Sequence, residues 1–277
     1  MGIIMTIQKW LKTPKGYVGI TMFAYLIIAS VGYKNMMGIR NGLMAILAAV
    51  IVDLICNNIK GKYSSIPDGA VITGLIISLI LSSTTSILTI VGTAIIAILS
   101  KHLITFKKRP IFNPAAFGLL ISVLLFQTGQ SWWGAFGDLP VWTIAFLLVG
   151  GYIITNRINK FPQVFAYLLT SFLLLALMGF FNIGDAVDAL RPPFINATLF
   201  FGFFMLTDPP TSPAKDKDQI LFGILTAAAG TIIYGIFGGL MYLFIGLCIG
   251  NLYYFQKKRS SSRISMNRSN SQRALSK

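Results

Sequence analysis

Glutamate is absent from this sequence of 277 residues, and all eight of its acidic residues are aspartates. Any carboxylate chemistry must therefore use one of eight positions. Cysteine is nearly absent as well, since only Cys56 and Cys248 occur, in apolar surroundings and without CxxC spacing. Two thiols cannot hold a cysteine-ligated zinc or iron–sulfur centre within one chain. We interpret both as packing residues, the alternative being a cluster shared between subunits.

Charged side chains are scarce too. They make up 11% of the chain against 55% hydrophobic residues, and the mean hydropathy is +0.74. A soluble protein needs a polar surface that this composition cannot supply, so most of the chain must lie in a lipid bilayer. The net charge of +15 would suggest nucleic acid in a soluble protein. Here the polar loops carry the charge, and their retention in the cytoplasm explains it without a nucleic-acid partner.

Ten apolar segments have the length of membrane-crossing or broken helices. They predict an all-α integral membrane protein with about ten transmembrane helices over residues 17–256, after a cytoplasmic N-terminus at 1–16. No early segment ends in a small-residue cleavage site, which argues against a removable signal peptide. The segments are 17–33, 37–56, 67–83, 86–105, 112–128, 140–156, 162–182, 193–208, 219–236 and 238–256.

The basic residues are distributed unevenly over the loops that this topology creates. Twenty of the 23 lysines and arginines fall on one side, and only Lys34, Arg40 and Arg191 fall on the other. Because basic loops are retained in the cytoplasm, both termini are predicted to be cytoplasmic. Ten spans also divide into two halves of five, about 17–128 and 140–256. An odd number of spans per half predicts that the second half is inverted relative to the first.

The tail at 257–277 changes character abruptly, with seven basic residues, seven serines and no acid. Such a segment cannot bury enough apolar surface to fold alone, so we predict a disordered cytoplasmic tail that lies against anionic lipid. A phosphorylated or nucleic-acid-binding tail is the alternative.

Three polar motifs reach the basic face in this topology: Pro-Asp-Gly-Ala at 67–70, Phe-Asn-Pro-Ala at 112–115 and Thr-Asp-Pro-Pro-Thr-Ser-Pro at 207–213. Each has a local structural explanation. Asp68 and Asn113 are suited to cap helix N-termini, and the prolines after Asp208 end a helix. A capped N-terminus also directs backbone N–H groups at the face, where they can bind an anionic or carbonyl-bearing ligand. Their convergence predicts a shared site.

These motifs resemble a known family. Residues 71–82 after Pro-Asp-Gly-Ala, Lys101 upstream of Ile-Phe-Asn-Pro-Ala-Ala-Phe-Gly at 111–118, and Phe-Met-Leu-Thr-Asp-Pro-Pro-Thr-Ser-Pro at 204–213 are similar to RnfD, a membrane component of the Rnf electron-transport complex. They are equally similar to NqrB, the corresponding component of the sodium-pumping NADH:quinone reductase. The resemblance covers roughly residues 15–256, and its specific parts are the Phe-Asn-Pro-Ala and Thr-Asp-Pro-x-Thr-Ser-Pro pieces.

The resemblance implies ten helices in two inverted repeats of five, and flavin-dependent electron transfer across a bacterial cytoplasmic membrane, coupled to Na⁺ or H⁺ movement. It implies other membrane, flavoprotein or iron–sulfur subunits as partners, and a subunit without catalytic activity of its own. No nucleotide-binding fingerprint occurs, so NADH oxidation belongs to a partner. Asn113 matches a family position beside a non-covalently held riboflavin near the cytoplasmic side, whereas Pro110 replaces a frequent asparagine. For this chain we expect a non-covalent flavin, riboflavin or FMN. The predicted cofactor-binding residues are Asp68, Gly69, Lys101, Asn113, Pro114, Asp208, Thr211 and Ser212.

The chain departs from the family on the opposite face. Relatives carry FMN covalently on the threonine of a Ser-Gly-Ala-Thr motif after helix 5, but residues 127–138 here lack that motif. We therefore predict no covalent FMN, for example on Thr128. Trp132 and Trp133 in this loop are interpreted as anchors at the membrane interface, the alternative being flavin stacking.

Asp53 is the acid that lies deepest in a hydrophobic run, and its depth makes it a candidate for an ion path. His102 is interpreted as a loop residue near the lipid headgroups, with a proton-relay role as the alternative. The preferred function is a membrane subunit of a flavin-dependent electron-transport system. A transporter of a small solute or flavin on the same scaffold, without redox activity, is the alternative. A purely structural membrane anchor leaves the three convergent motifs unexplained.

Overall fold

The computed structural model describes residues 10–61 and 67–275, and side chains as far as Ser262. The fold is all-α and contains ten α-helices in this described part of the chain, which confirms the predicted fold class. The only sheet there is a two-stranded hairpin between α4 and α5. The helices are α1 Pro14–Gly32, α2 Met37–Ile59, α3 Asp68–Ile80, α4 Ile87–Leu103, α5 Pro114–Phe126, α6 Ile144–Ile158, α7 Phe161–Phe180, α8 Phe194–Phe200, α9 Asp216–Phe237 and α10 Met241–Leu275.

Most helices begin and end close to the predicted segments, and side-chain caps mark the starts of α1, α4 and α5. Thr13 precedes Pro14 and its Oγ1 accepts a hydrogen bond from the Gly16 N–H at 3.1 Å. Ser86 caps α4 in the same way, with its Oγ accepting from the Thr89 N–H at 3.2 Å. Each cap satisfies a backbone donor that the first turn leaves unpaired.

Five helices are long and apolar enough to cross a membrane. Their ranges are Pro14–Gly32, Met37–Ile59, Val141–Ile158, Phe161–Phe180 and Asp216–Phe237, where the third includes the short 3₁₀ turn Val141–Thr143 that precedes α6. Four further apolar helices are shorter: α3, α4, α5 and α8 with its continuation. A multi-pass membrane protein follows from these helices.

The third helix of each half is too short to cross the bilayer. Helix α3 has 13 residues, a length of about 20 Å, whereas the hydrocarbon core is about 30 Å thick. Helix α8 has seven residues and continues as a π-helical turn, Phe201–Met205. Irregular backbone at membrane depth is tolerated where protein buries it. Discontinuous helices at corresponding positions of two halves commonly mark a binding site.

The loop between α5 and α6 covers the C-terminal end of α3. The N–H groups of Ser131 and Trp132 both donate to the Ile80 carbonyl at 3.0 Å. Trp132 and Trp133 are 1% and 6% exposed, and the Trp133 indole donates to the Ser78 carbonyl at 2.7 Å. The interpretation of both tryptophans as interfacial anchors is therefore wrong.

Contacts between helix ends show that the three motifs share one end of the bundle, which we call the basic end. Lys15 at the start of α1 pairs with Asp68 at the start of α3, with 2.8 Å between Nζ and Oδ1. Lys160 at the start of α7 bonds to Ser212 after α8, at 3.0 Å. Helix α3 begins at this end and α8 ends there, so corresponding helices of the two halves run in opposite directions, as an inverted repeat requires.

The last helix departs from the sequence prediction for the tail. Residues 257–277 were expected to be disordered from their composition, but α10 continues through the basic segment to Leu275. A helix already formed by the preceding apolar turns extends without a new nucleation step, which removes the main cost for a short polar segment. The lipid contact predicted for the tail falls mostly on side chains outside those described.

Candidate functional site

A cavity of about 470 Å³ opens at the basic end. Its wall combines the start of α3, the end of α8, the start of α5 and the hairpin, with α1 and α6 closing the remaining sides. Five of the predicted site residues line it: Gly69, Lys101, Asn113, Pro114 and Asp208. Pockets of this size hold cofactors and small ligands.

The other three predicted residues stand just behind the cavity wall. Asp68 binds Lys15, which lines the cavity, and its Oδ1 accepts from the Gly69 N–H at 2.6 Å. Thr211 Oγ1 donates to Asp208 Oδ2 at 2.9 Å, and Ser212 Oγ donates to the Asp208 carbonyl at 2.8 Å. Thr211 and Ser212 are buried, so they position Asp208 rather than face the cavity.

Asp208 lies in the loop after α8, at the first position of a hydrogen-bonded turn. Burial raises the pKa of its carboxyl above the usual range, while the Thr211 hydrogen bond and the nearby charges of Lys15, Lys101 and Lys160 oppose that rise. The carboxylate therefore meets a bound ligand either as an acceptor or, when protonated, as a donor.

Lys160 holds the loop that carries Asp208 through hydrogen bonds, a role that the sequence did not reveal. It is 3% exposed, and its Nζ donates to Ser212 Oγ and to the Pro213 carbonyl. Burial lowers its pKa to about 8, against the opposing charge of Asp208. In the sequence Lys160 counted only as one of many basic loop residues.

Asn113 connects the two halves of the molecule. As predicted, it caps α5, since its Oδ1 accepts from the Ala116 N–H at 3.1 Å. Its Nδ2 donates to the Met205 carbonyl at the end of the π-helical turn, at 3.0 Å. Asn251 on α10 completes the link by accepting from the Asn113 N–H at 2.9 Å and donating to the Thr211 carbonyl at 3.0 Å. Sequence reasoning missed Asn251, because a single asparagine in an apolar helix carries no motif.

Asp53 and His102 form a buried ionic cluster beside the cavity. Asp53 Oδ1 lies 2.8 Å from Lys101 Nζ and 2.7 Å from His102 Nε2, and Asn57 donates to Oδ2 at 3.1 Å. The interpretation of His102 as a loop residue is wrong, since it occupies the last turn of α4. Because Lys101 also lines the cavity, Asp53 holds a cavity cation in place. Asp53 is only 2% exposed. Its pairing with Lys101 gives a structural reason for that burial, in addition to the predicted role in an ion path.

The interior of the cavity is apolar and its mouth is cationic. Val18, Ile72, Ile76, Ile154 and Phe204 provide the apolar wall. The cations are Lys15, Lys101, Lys108 and Arg109. An apolar lining with a few convergent polar groups is typical of small-molecule sites. Within the described residues, no three His, Cys, Asp or Glu side chains cluster as a metal site would require.

Comparison with known proteins agrees with the architecture. The sequence model of the NQR2, RnfD, RnfE family matches residues 10–140 and 135–242. No curated protein matches the chain. The matched residues include every predicted site residue and most of the cavity wall.

Proposed function

The chain belongs to the NQR2, RnfD, RnfE family, and from this premise we propose that it is a membrane subunit of an Rnf- or NQR-type electron-transport complex that holds a flavin without a covalent bond. The flavin occupies the cavity at the basic end, which faces the cytoplasm of a bacterial cell. Other membrane and redox subunits deliver and remove the electrons.

The observation that carries this proposal is the construction of the cavity. The start of α3 and the end of α8, the third helices of the two inverted halves, meet there with the start of α5. Gly69 at the start of α3 and Asn113 at the start of α5 line the same wall as Asp208. Broken helices that meet at a polar wall are a recurrent way to bind an anionic or carbonyl-bearing ligand in a membrane protein.

The residues present fit a flavin. The apolar wall formed by Ile72, Ile76 and Phe204 accommodates a fused ring system and keeps water away from it. Lys101 and Asp208 stand at the polar side, where ring carbonyl and N–H groups need partners. A bound flavin supplies one- and two-electron transfer. The chain itself orients the ring and sets the charge around it.

Absorbance spectroscopy of the detergent-purified protein tests the proposal. We expect a flavin spectrum that dithionite bleaches, or saturable binding when riboflavin or FMN is added. Gly69→Val places a branched side chain in the cavity, where even a Cβ lies 3.4 Å from Lys101 Nζ, and is expected to abolish binding. Gly129→Val is the matched control, because a Cβ at Gly129 meets nothing within 4 Å. Wild-type protein that binds neither flavin contradicts the proposal.

A second candidate function is transport of a small solute or of a flavin on the same scaffold, without redox chemistry. The two short helices at corresponding positions favour it, because transporters with inverted repeats use such helices at their substrate sites. Liposome uptake separates the two. Accumulation of labelled riboflavin by the protein alone supports transport, whereas a tightly retained, reducible flavin without uptake supports the electron-transfer subunit.

A further inference from the structure

The hairpin between α4 and α5 places two cations at the mouth of the cavity without counter-ions. We propose that Lys108 and Arg109 form a subsite for a phosphate ester, so that the ligand is FMN rather than riboflavin. The identity of the ring as a flavin rests on the proposed function. The phosphate rests on two separate observations, the geometry of the hairpin and the charges that line the cavity.

The charge balance of the cavity supports the subsite. Two of its four cations are paired, since Lys15 binds Asp68 and Lys101 binds Asp53, each at 2.8 Å. Lys108 and Arg109 have no ion pair within the part of the chain that the structure describes. A phosphate monoester carries about −1.5 to −2 charges at neutral pH. Two unpaired cations at the mouth match that charge, whereas the neutral ribityl chain of riboflavin leaves both without a partner.

The backbone of the hairpin holds these cations in a costly conformation. Its strands, β1 Thr105–Phe106 and β2 Arg109–Pro110, are joined by Lys107 and Lys108 with φ angles of 49° and 65°. Two-residue hairpin turns with positive φ ordinarily use Asn-Gly or Gly-Gly. A lysine in this region is strained, and such strain commonly accompanies ligand contacts.

Further contacts anchor the hairpin against the bundle. The Ile111 N–H donates to the Ile104 carbonyl at 3.0 Å, which closes its base. The Phe106 ring packs edge-on against Phe255 of α10, with 5.2 Å between centroids. Lys107 points away from the cavity and donates to Ser262 Oγ at 2.6 Å. The hairpin therefore presents Lys108 and Arg109 to the mouth from a supported position.

The arrangement of polarity along the cavity also fits an amphiphilic phosphate ester. Lys108 and Arg109 are exposed, whereas Val18, Ile76 and Phe204 line the apolar part. A charged group bound at the mouth stays close to water, and the ring buries apolar surface inside. Arginine is well suited to this role because its planar fork binds two phosphate oxygens at once.

Fluorescence titration of purified protein with FMN and with riboflavin, in neutral detergent at low salt, tests the subsite. Wild type is expected to bind FMN at least tenfold more tightly. Lys108→Gln and Arg109→Gln are each expected to weaken FMN binding about fivefold, since exposed pairs contribute modestly, and to leave riboflavin binding unchanged. Lys107→Gln, on the same turn but directed elsewhere, is the matched control and keeps wild-type affinity for FMN.

The outcomes separate the two proposals. Equal binding of FMN and riboflavin, or equal loss of both in the variants, overturns the phosphate subsite and leaves the flavin proposal intact. Binding of neither flavin overturns the proposed function. In that case native mass spectrometry with phosphatidic acid identifies the other source of a phosphate ester. Lipid retention that is lost in the Lys108→Gln/Arg109→Gln variant, but kept in Lys107→Gln, supports the subsite with a lipid ligand, and retention unaffected by the variants overturns it.

Discussion

Asp53 shows how a single buried acid can organise one side of the cavity. In a chain without glutamate, this aspartate pairs with Lys101, hydrogen-bonds to His102 and accepts a further bond from Asn57. Lys101 thereby keeps its position in the cavity wall. From the sequence, an acid at this depth suggested an ion path. The structure adds a second reason for its presence, which is the pairing with Lys101.

A double-mutant cycle measures the Asp53–Lys101 pair. Asp53→Asn and Lys101→Met are each expected to lower the free energy of unfolding in detergent by about 2 kcal/mol, because each leaves a partly buried charge without its partner. The double variant is expected to lose less than the sum of the two, since the pair is then removed together. Thermal and denaturant unfolding followed by tryptophan fluorescence gives the values.

The exposed pair Lys257–Asp218 is the control for this cycle. Its side chains are 41% and 28% exposed, so each substitution should change the stability little and the two effects should add. A coupling at Asp53–Lys101 no larger than that of the control pair contradicts the assignment. Ion-coupled turnover of the assembled complex is a separate readout. Asp53→Asn is expected to slow it, and unchanged coupling excludes Asp53 from an ion path.

At the scale of elements, α3 and α8, the third helices of the two halves, determine where the cavity lies. Helix α3 packs closely on α2 because Gly74 has no side chain, and a Cβ there would lie 2.8 Å from the Ile46 backbone. This approach places Ile72, Thr73 and Ile76 of α3 in the cavity wall. Helix α8 ends in a π-helical turn, which is frequent at functional sites and leaves the Met205 carbonyl for Asn113.

A pair of glycine-to-alanine substitutions tests the close packing of α3. Both Gly74 and Gly92 lie inside helices, where alanine gains up to about 1 kcal/mol of helix propensity. Gly74→Ala is expected to destabilise the protein by about 2 kcal/mol, because its Cβ meets backbone that cannot move aside, and to weaken flavin binding. Gly92→Ala meets only the Phe126 ring at 3.5 Å, an ordinary contact, and is expected to be neutral or stabilising.

Unfolding midpoints and FMN titrations of the two variants provide the comparison. Equal midpoints for Gly74→Ala and Gly92→Ala, or a flavin affinity unchanged by Gly74→Ala, contradict the view that α2–α3 contact shapes the cavity.

At the scale of the whole molecule, the distribution of charge sets the orientation that we propose. Twenty of 23 lysines and arginines lie on one side of the ten-span topology, and the cavity lies at the end of the bundle where they concentrate. Because basic loops are retained in the cytoplasm, we propose that this end faces the cytoplasm. A soluble electron donor would then reach the cavity from inside the cell, and the opposite end would meet extracytoplasmic partners.

Single-cysteine labelling tests this orientation. After Cys56 and Cys248 are replaced by alanine, Gly61→Cys reports on the basic end and Asp138→Cys on the opposite end. A membrane-impermeant maleimide added to intact cells is expected to label Asp138→Cys only, and both after permeabilisation. Labelling of Gly61→Cys in intact cells with protection of Asp138→Cys contradicts the proposed orientation.

Much of the architecture followed from the sequence by itself. Apolar runs located the ten helices, because membrane helices must satisfy their own backbone polar groups, but they did not predict that α10 continues past residue 256 to Leu275. The charge asymmetry and the three motifs also predicted which helix ends share a face. These features depend on residues close together in the chain.

Only the tertiary structure decided how the cavity is built. The pairing of Asp53 with His102, the support of Asp208 by Lys160, and the link from Asn113 to Asn251 join residues between 48 and 138 positions apart. The burial of Trp132 and the placement of Lys108 at the cavity likewise depend on contacts between elements distant in sequence. Single polar residues in apolar helices carry no local pattern, so packing alone determines their partners.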